Sequence, residues 1–103
     1  MFVVANRIMV NPGYEAAFAE RFRQRAGQVE QQPGFVRLEV MRPVNDGSPW
    51  VVMTHWRDKG AFDGWVASED FKAAHRQSSL PKEAFGAGGG LEMHEVEIYA
   101  GSD

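Results

Sequence analysis

Hydrophobic and polar positions change period several times along the chain, and each change marks a predicted element. FVVANRIMV (2–10) is rich in Val and Ile and stops at Asn11-Pro12-Gly13, which predicts a strand followed by a turn. From Tyr14 the spacing turns helical: Tyr14, Phe18, Phe22 and Val29, with Ala17 and Ala26, predict one amphipathic helix that stops at Pro33. FVRLEVMRPV (35–44) alternates Phe35 and Arg37 with Val36 and Leu38 as a strand does. NDGS then predicts a hairpin turn into a third strand, PWVVMTHW (49–56). Asp58 is a candidate N-cap for KGAFDGWVA, which carries Phe62, Trp65 and Val66 on one side. Ser68, followed by Glu69 and Asp70, is a second N-cap signal, so FDGWVASEDFKAAH (62–75) reads as two short helices meeting at Ser68. The stretch from Gln77 through AFGAGGG reads as loop, and LEMHEVEIYA (91–100) as the last strand.

This order, β-α-β followed by β-α-β, predicts an α+β fold: a ferredoxin-like antiparallel sheet with its helices on one face, the whole of residues 1–103 forming a single domain. On strand one, Phe2, Val4, Asn6 and Ile8 point one way and Val3, Ala5, Arg7 and Met9 the other. Both faces are substantially apolar, and helices cover one of them. The second face therefore predicts a homodimer packed sheet against sheet.

Composition narrows the function. With 44% hydrophobic and 24% charged residues in 103, the chain is one globular domain with room for one core. A net charge of −3 and no long run of like charge set nucleic acid aside as a partner. The absence of cysteine rules out a disulfide framework, a zinc ribbon and a thiol nucleophile. MFVVANRIMV lacks the features of a signal peptide and no stretch has membrane-spanning length, so no membrane association and a cytoplasmic location are expected.

Taken singly, the chemistry-bearing residues are ambiguous. Asn6 sits among apolar neighbours on the face helices should cover, where it is either a structural amide bonded to backbone or a functional group. Trp65 alone reads as core mass. His75, one turn after Phe71, alone reads as a helix-end residue interacting with carbonyls. Arg21 and Arg25 flank the Phe18/Phe22 stripe as solvated charge, or as counter-charge for an acidic ligand. His55 and His94 lie in strands without ligand spacing, and neither a G-x-S-x-G nor a phosphate-binding loop is present.

Together these residues resemble a known family. ANRI on the first strand, then FAERFRQRA, QQPGF, VVMTHW and KGAFDGWVASEDFKAAH, are similar to the haem-degrading monooxygenases of the staphylococcal IsdG and mycobacterial MhuD type, within the antibiotic biosynthesis monooxygenase superfamily. The likeness covers roughly residues 1–100, and the family's catalytic Asn, Trp and His fall on Asn6, Trp65 and His75. The resemblance implies a dimeric α+β barrel in which haem is both cofactor and substrate and dioxygen the co-substrate. It further implies His75 as the proximal iron ligand, Asn6 as hydrogen-bond donor to the reacting oxygen, and Trp65 as the group that distorts the porphyrin plane. Phe22 and Phe71 would line the haem pocket and Arg25 would pair with a propionate. Electrons would come from a reductase or small reductant, and ring opening would release iron and a linear tetrapyrrole. Two other functions fit the same residues less fully: a cofactor-free monooxygenase acting on a quinol or polyketide phenol, and a haem carrier or sensor without ring opening.

Overall fold

The structure, a computed structural model, describes residues 1–24, 28–77 and 80–102, with backbone alone at 75–77. Its strands are β1 (Phe2–Val10), β2 (Phe35–Met41), β3 (Trp50–Trp56) and β4 (Phe85–Glu95). Its α-helices are α1 (Glu15–Gln24), α2 (Lys59–Val66) and α3 (Glu69–Gln77). The strands form one sheet in the order β2-β3-β1-β4, every neighbouring pair antiparallel, which is the ferredoxin-like arrangement.

Register decides which side chains meet. Phe2, Val4, Asn6 and Ile8 on β1 stand beside Trp56, Thr54, Val52 and Trp50 on β3, so all eight share the helix-covered face. Aromatic side chains anchor the helices at opposite ends of that face. Under α2, Phe62 lies 5.7 Å from Phe2 and 5.9 Å from the fully buried Trp56, between ring centroids. Under α1, Phe18 packs edge to face on Trp50 at 5.2 Å. Each such pair adds roughly 0.5–1.5 kcal/mol beyond its buried area. Because the anchors sit at the two ends, the middle of the face, around Val4 and Asn6, is left as the floor of a hollow.

The elements differ from the sequence reading in three places. The single helix predicted from Tyr14 to the stop at Pro33 is divided among the described residues: α1 covers Glu15–Gln24, residues 25–27 lie outside the described residues, and Val29–Gln31 form a separate 3-10 turn. Val29 packs against the Phe2/Trp56/Trp65 cluster, whereas Phe18 packs on Trp50, so one straight helix does not serve both contacts. Simple alternation puts Phe35 and Leu38 on opposite faces of β2. The register instead shifts between Phe35 and Arg37, a bulge at Val36 that returns Phe35 to Trp56 and Leu38 to Thr54 on the same face.

The third correction concerns Gly86–Gly90, which are strand and not loop. Gly90 pairs with Arg7 and Gly89 with Ile8, and the register slips before Val10 meets Phe85. Gly89 has φ +135°, and a β-carbon there would drive into the carbonyl oxygen of Arg7, so glycine alone permits the approach. At the other end β4 stops at Glu95, short of the predicted Ala100, because its neighbour β1 begins only at Phe2.

Candidate active site

The hollow between the helices and the sheet is a cavity of about 700 Å³, within the range that binds cofactor-sized ligands. Val4, Asn6 and Ile8 form its floor, α1 contributes Phe18, Arg21 and Phe22, and α2 and α3 contribute Trp65, Phe71 and Ala74.

Asn6 is the polar residue at the centre of that floor. It is partly buried, and among the described residues nothing hydrogen-bonds its side-chain amide. The backbone bond that a structural amide would make is thus not present among the described residues. An amide that lacks partners inside an apolar hollow has its donor available to a bound molecule.

Trp65 serves packing and cavity at once. It is 9% exposed and belongs to the core cluster with Phe2, Val4 and Trp56, yet it also borders the cavity. The Ser68 junction fixes its position. Asp58 Oδ1 accepts from Ala61 N–H at 2.8 Å to start α2. Ser68 Oγ accepts from Phe71 N–H at 3.1 Å to start α3, while its hydroxyl donates to the Trp65 carbonyl at 2.6 Å. One serine thus ends one helix, begins the next and sets the angle between Trp65 and Phe71.

The structure therefore brings Asn6, Phe22, Trp65 and Phe71 to one cavity. His75 is in α3, directly after the buried, cavity-lining Ala74; its side chain lies outside the described residues, as does Arg25. Sequence reasoning missed the strand residues that complete the wall, Leu38, Val52, Thr54, Leu91 and Met93. Their signal was present in the register, since Val52 stands beside Asn6 and Thr54 beside Val4. It also missed the pairing of His55, whose Nε2 lies 2.9 Å from Glu39 Oε1 on the adjacent strand, on the opposite face of the sheet.

The sequence pattern of the antibiotic biosynthesis monooxygenases matches residues 1–77. The chain belongs to the antibiotic biosynthesis monooxygenase family. Within this family it is similar to a heme-degrading monooxygenase of Bacillus thuringiensis, 38% identical over 84 residues that cover 79% of this chain and 78% of the relative. It is also similar to the staphylobilin-producing heme oxygenase of Staphylococcus haemolyticus, 37% identical over 78 residues, 74% of each chain. Among solved structures of the fold, the heme degrader MhuD of Mycobacterium tuberculosis, with two hemes bound in its active site, superposes with a TM-score of 0.78. That pair is 30% identical, with 98% of this chain and 100% of the other covered.

Proposed function

We propose that this antibiotic biosynthesis monooxygenase family member is a haem-degrading monooxygenase that opens the porphyrin ring with dioxygen and releases iron and a linear tetrapyrrole. The observation that carries the reading is the unpartnered Asn6 amide on the floor of an apolar cavity bounded by Trp65. The cavity fits a large, flat, mostly apolar substrate, and the likeness to the Bacillus and Staphylococcus enzymes supports haem as that substrate.

Each residue then has a task. His75, carried on α3, would hold the iron as a neutral imidazole. Haem supplies the redox chemistry. Asn6, on the cavity floor, would offer an N–H to orient dioxygen when haem is bound. Trp65, clamped by the core behind it and by Phe71 at 5.4 Å, is stiff enough to press on the macrocycle without yielding. Phe22 and Phe71 exclude water from the ring, and Arg25 pairs with a propionate. Electrons come from an external reductase or small reductant.

The assembly in this reading is a homodimer of two ferredoxin-like sheets closed into an α+β barrel, acting in the cytoplasm. Val3, Ala5, Val51 and Met53 lie on the sheet face that, among the described residues, no helix covers, which supports the pairing. Among the described residues, no helix is long and apolar enough to cross a membrane.

The test is an aerobic haemin titration followed by ascorbate, read by absorbance and mass spectrometry. The reading expects a shifted Soret band on binding, then its loss with appearance of free iron and an oxygenated linear tetrapyrrole. A haem complex that survives reductant in air would make the protein a carrier. Oxygen uptake with a phenol and no haem would make it a cofactor-free oxygenase. His75→Ala should abolish the specific Soret shift, and an unchanged titration would remove His75 as ligand.

A further inference from the structure

Phe22 and Leu38 border two spaces. One is the large cavity; the other is a second hollow of about 290 Å³ between α1 and the β2–β3 pair, lined also by Arg23, Val40, Arg42 and Trp50. It lies at the edge of the sheet, because β2 is an outer strand. The partition between the two spaces is aromatic and thin: Phe18 packs between Trp50 and Phe22, with ring centroids 5.2 Å from each.

The second hollow is basic. The Arg42 guanidinium carbon lies 5.6 Å from the centre of the Trp50 ring, a cation–π position, and among the described residues Arg42 forms no ion pair. Arg23 Nη1 meets Glu20 Oε2 at 3.2 Å, but both side chains are more than half exposed, so this pair competes weakly with an incoming anion. The volume stands at the lower limit of small-molecule sites and suits a single-ring molecule. An anion with two adjacent oxygens matches the planar fork of a guanidinium.

The ring opening proposed above draws its electrons from outside the chain, and electron transfer weakens steeply with each layer of protein between donor and acceptor. We infer that the Arg23/Arg42 hollow is the docking site of a small anionic enediol reductant, held one side-chain layer from the ring in the large cavity. This rests on the haem reading and names its electron donor. The seated donor passes one electron to ferric iron, which becomes ferrous, and the resulting radical loses its remaining enediol proton to solvent. Phe22 and Leu38 keep the donor out of the apolar cavity while holding it close.

The test uses ascorbate as the probe and the full chain throughout. Without haemin and without oxygen, ascorbate should move the Trp50 indole and Arg42 guanidinium N–H resonances saturably and leave the Trp65 indole in place. Sodium chloride at equal ionic strength should not reproduce the shift. With haemin, under carbon monoxide and without oxygen, the rate of formation of the ferrous band should level off as ascorbate rises. In Arg23→Gln/Arg42→Gln the ratio of the ascorbate rate to that of uncharged hydroquinone should fall about tenfold, the lower end of what electrostatic steering supplies. Circular dichroism and the Soret shift check that fold and haemin binding survive the change. Resonances that stay still, or a rate ratio equal in the parent and the double variant, overturn the donor site, while haemin binding and ring opening with ascorbate keep the haem reading. Saturable shifts in a chain that binds no haemin overturn the haem reading and the donor role with it, and leave an anion site.

Discussion

Trp65 and Phe71 meet edge to face, their ring centroids 5.4 Å apart and their planes at 89°, across the junction that Ser68 caps. Neither ring is held by its own helix alone, since α2 and α3 are each short enough that the angle between them is set at the cap.

Replacing that serine should therefore be felt twice. Ser68→Ala removes the acceptor for Phe71 N–H and is expected to lower unfolding free energy by ~1 kcal/mol, measured by urea denaturation. It should also weaken haemin binding, because Trp65 and Phe71 both border the cavity. Ser68→Asp restores a capping acceptor, and the Trp65 carbonyl keeps the Ser68 N–H at 3.0 Å as a donor. Recovery of stability and of haemin affinity together is the expected result. A loss in Ser68→Ala that Asp fails to recover would mean the hydroxyl's bond to Trp65 matters more than the cap.

Asn6 separates binding from turnover. Asn6→Ala takes a group without partners from the cavity floor, so it should leave the urea midpoint and haemin affinity close to those of the parent chain. Ring opening should slow on the order of a hundredfold, the scale of losing one aligned donor at a reacting oxygen. A fall in stability with unchanged single-turnover rate would make Asn6 a structural amide after all.

The element order and the face of β1 were legible because both follow from local periodicity: Phe2, Val4, Asn6 and Ile8 fall on one face in the structure as in the sequence. The two caps, Asp58 and Ser68, were legible for the same reason, since a cap is a local bond. What periodicity could not carry was anything set by a neighbouring strand. Phe35 reaches Trp56 only through the bulge at Val36. Gly86–Gly90 look like a loop in isolation and become strand because β1 supplies the pairing partner. The site was legible in the same proportion: Trp65 and Phe71 came with their helices, whereas Leu38, Val52 and Met93 needed the register.

Gln28 offers a gain in stability. Its Oε1 is buried and without a partner, a desolvated acceptor that costs roughly 1–3 kcal/mol. Gln28→Met keeps length and apolar stem while deleting that oxygen, and should raise the unfolding free energy by ~1 kcal/mol. Chemical denaturation reads this directly. A destabilised variant would show that the packing of the glutamine side chain outweighs the stranded oxygen.

Gly89 should be among the least replaceable positions outside the core. Alanine there adds a β-carbon at φ +135° against the Arg7 carbonyl, combining left-handed strain with a backbone clash, at a cost of roughly 2–3 kcal/mol. Gly88→Ala, also at positive φ but with open space around it, should cost about 1 kcal/mol. Equal losses at the two positions would mean that strain alone, and not the close pairing of β4 with β1, fixes these glycines.

Acid dependence should trace in part to a single exposed pair. Arg7 Nε donates to Glu92 Oε1 at 2.6 Å, diagonally across β1 and β4, and this hydrogen bond, with the guanidinium charge and a smaller contribution from His94, holds the Glu92 carboxyl below its ordinary value of 4.5. A carboxyl whose folded value is depressed stabilises the fold above its unfolded value and loses that contribution as pH falls through the folded one. The difference in urea midpoint between the parent chain and Glu92→Gln should thus be constant from neutral pH down to about pH 5, then shrink steadily below it. Because both side chains are solvent-exposed, the same difference should also shrink as salt is raised at neutral pH. A difference that grew on acidification would mean Glu92 is stabilised protonated, and would reverse the sign of the pair.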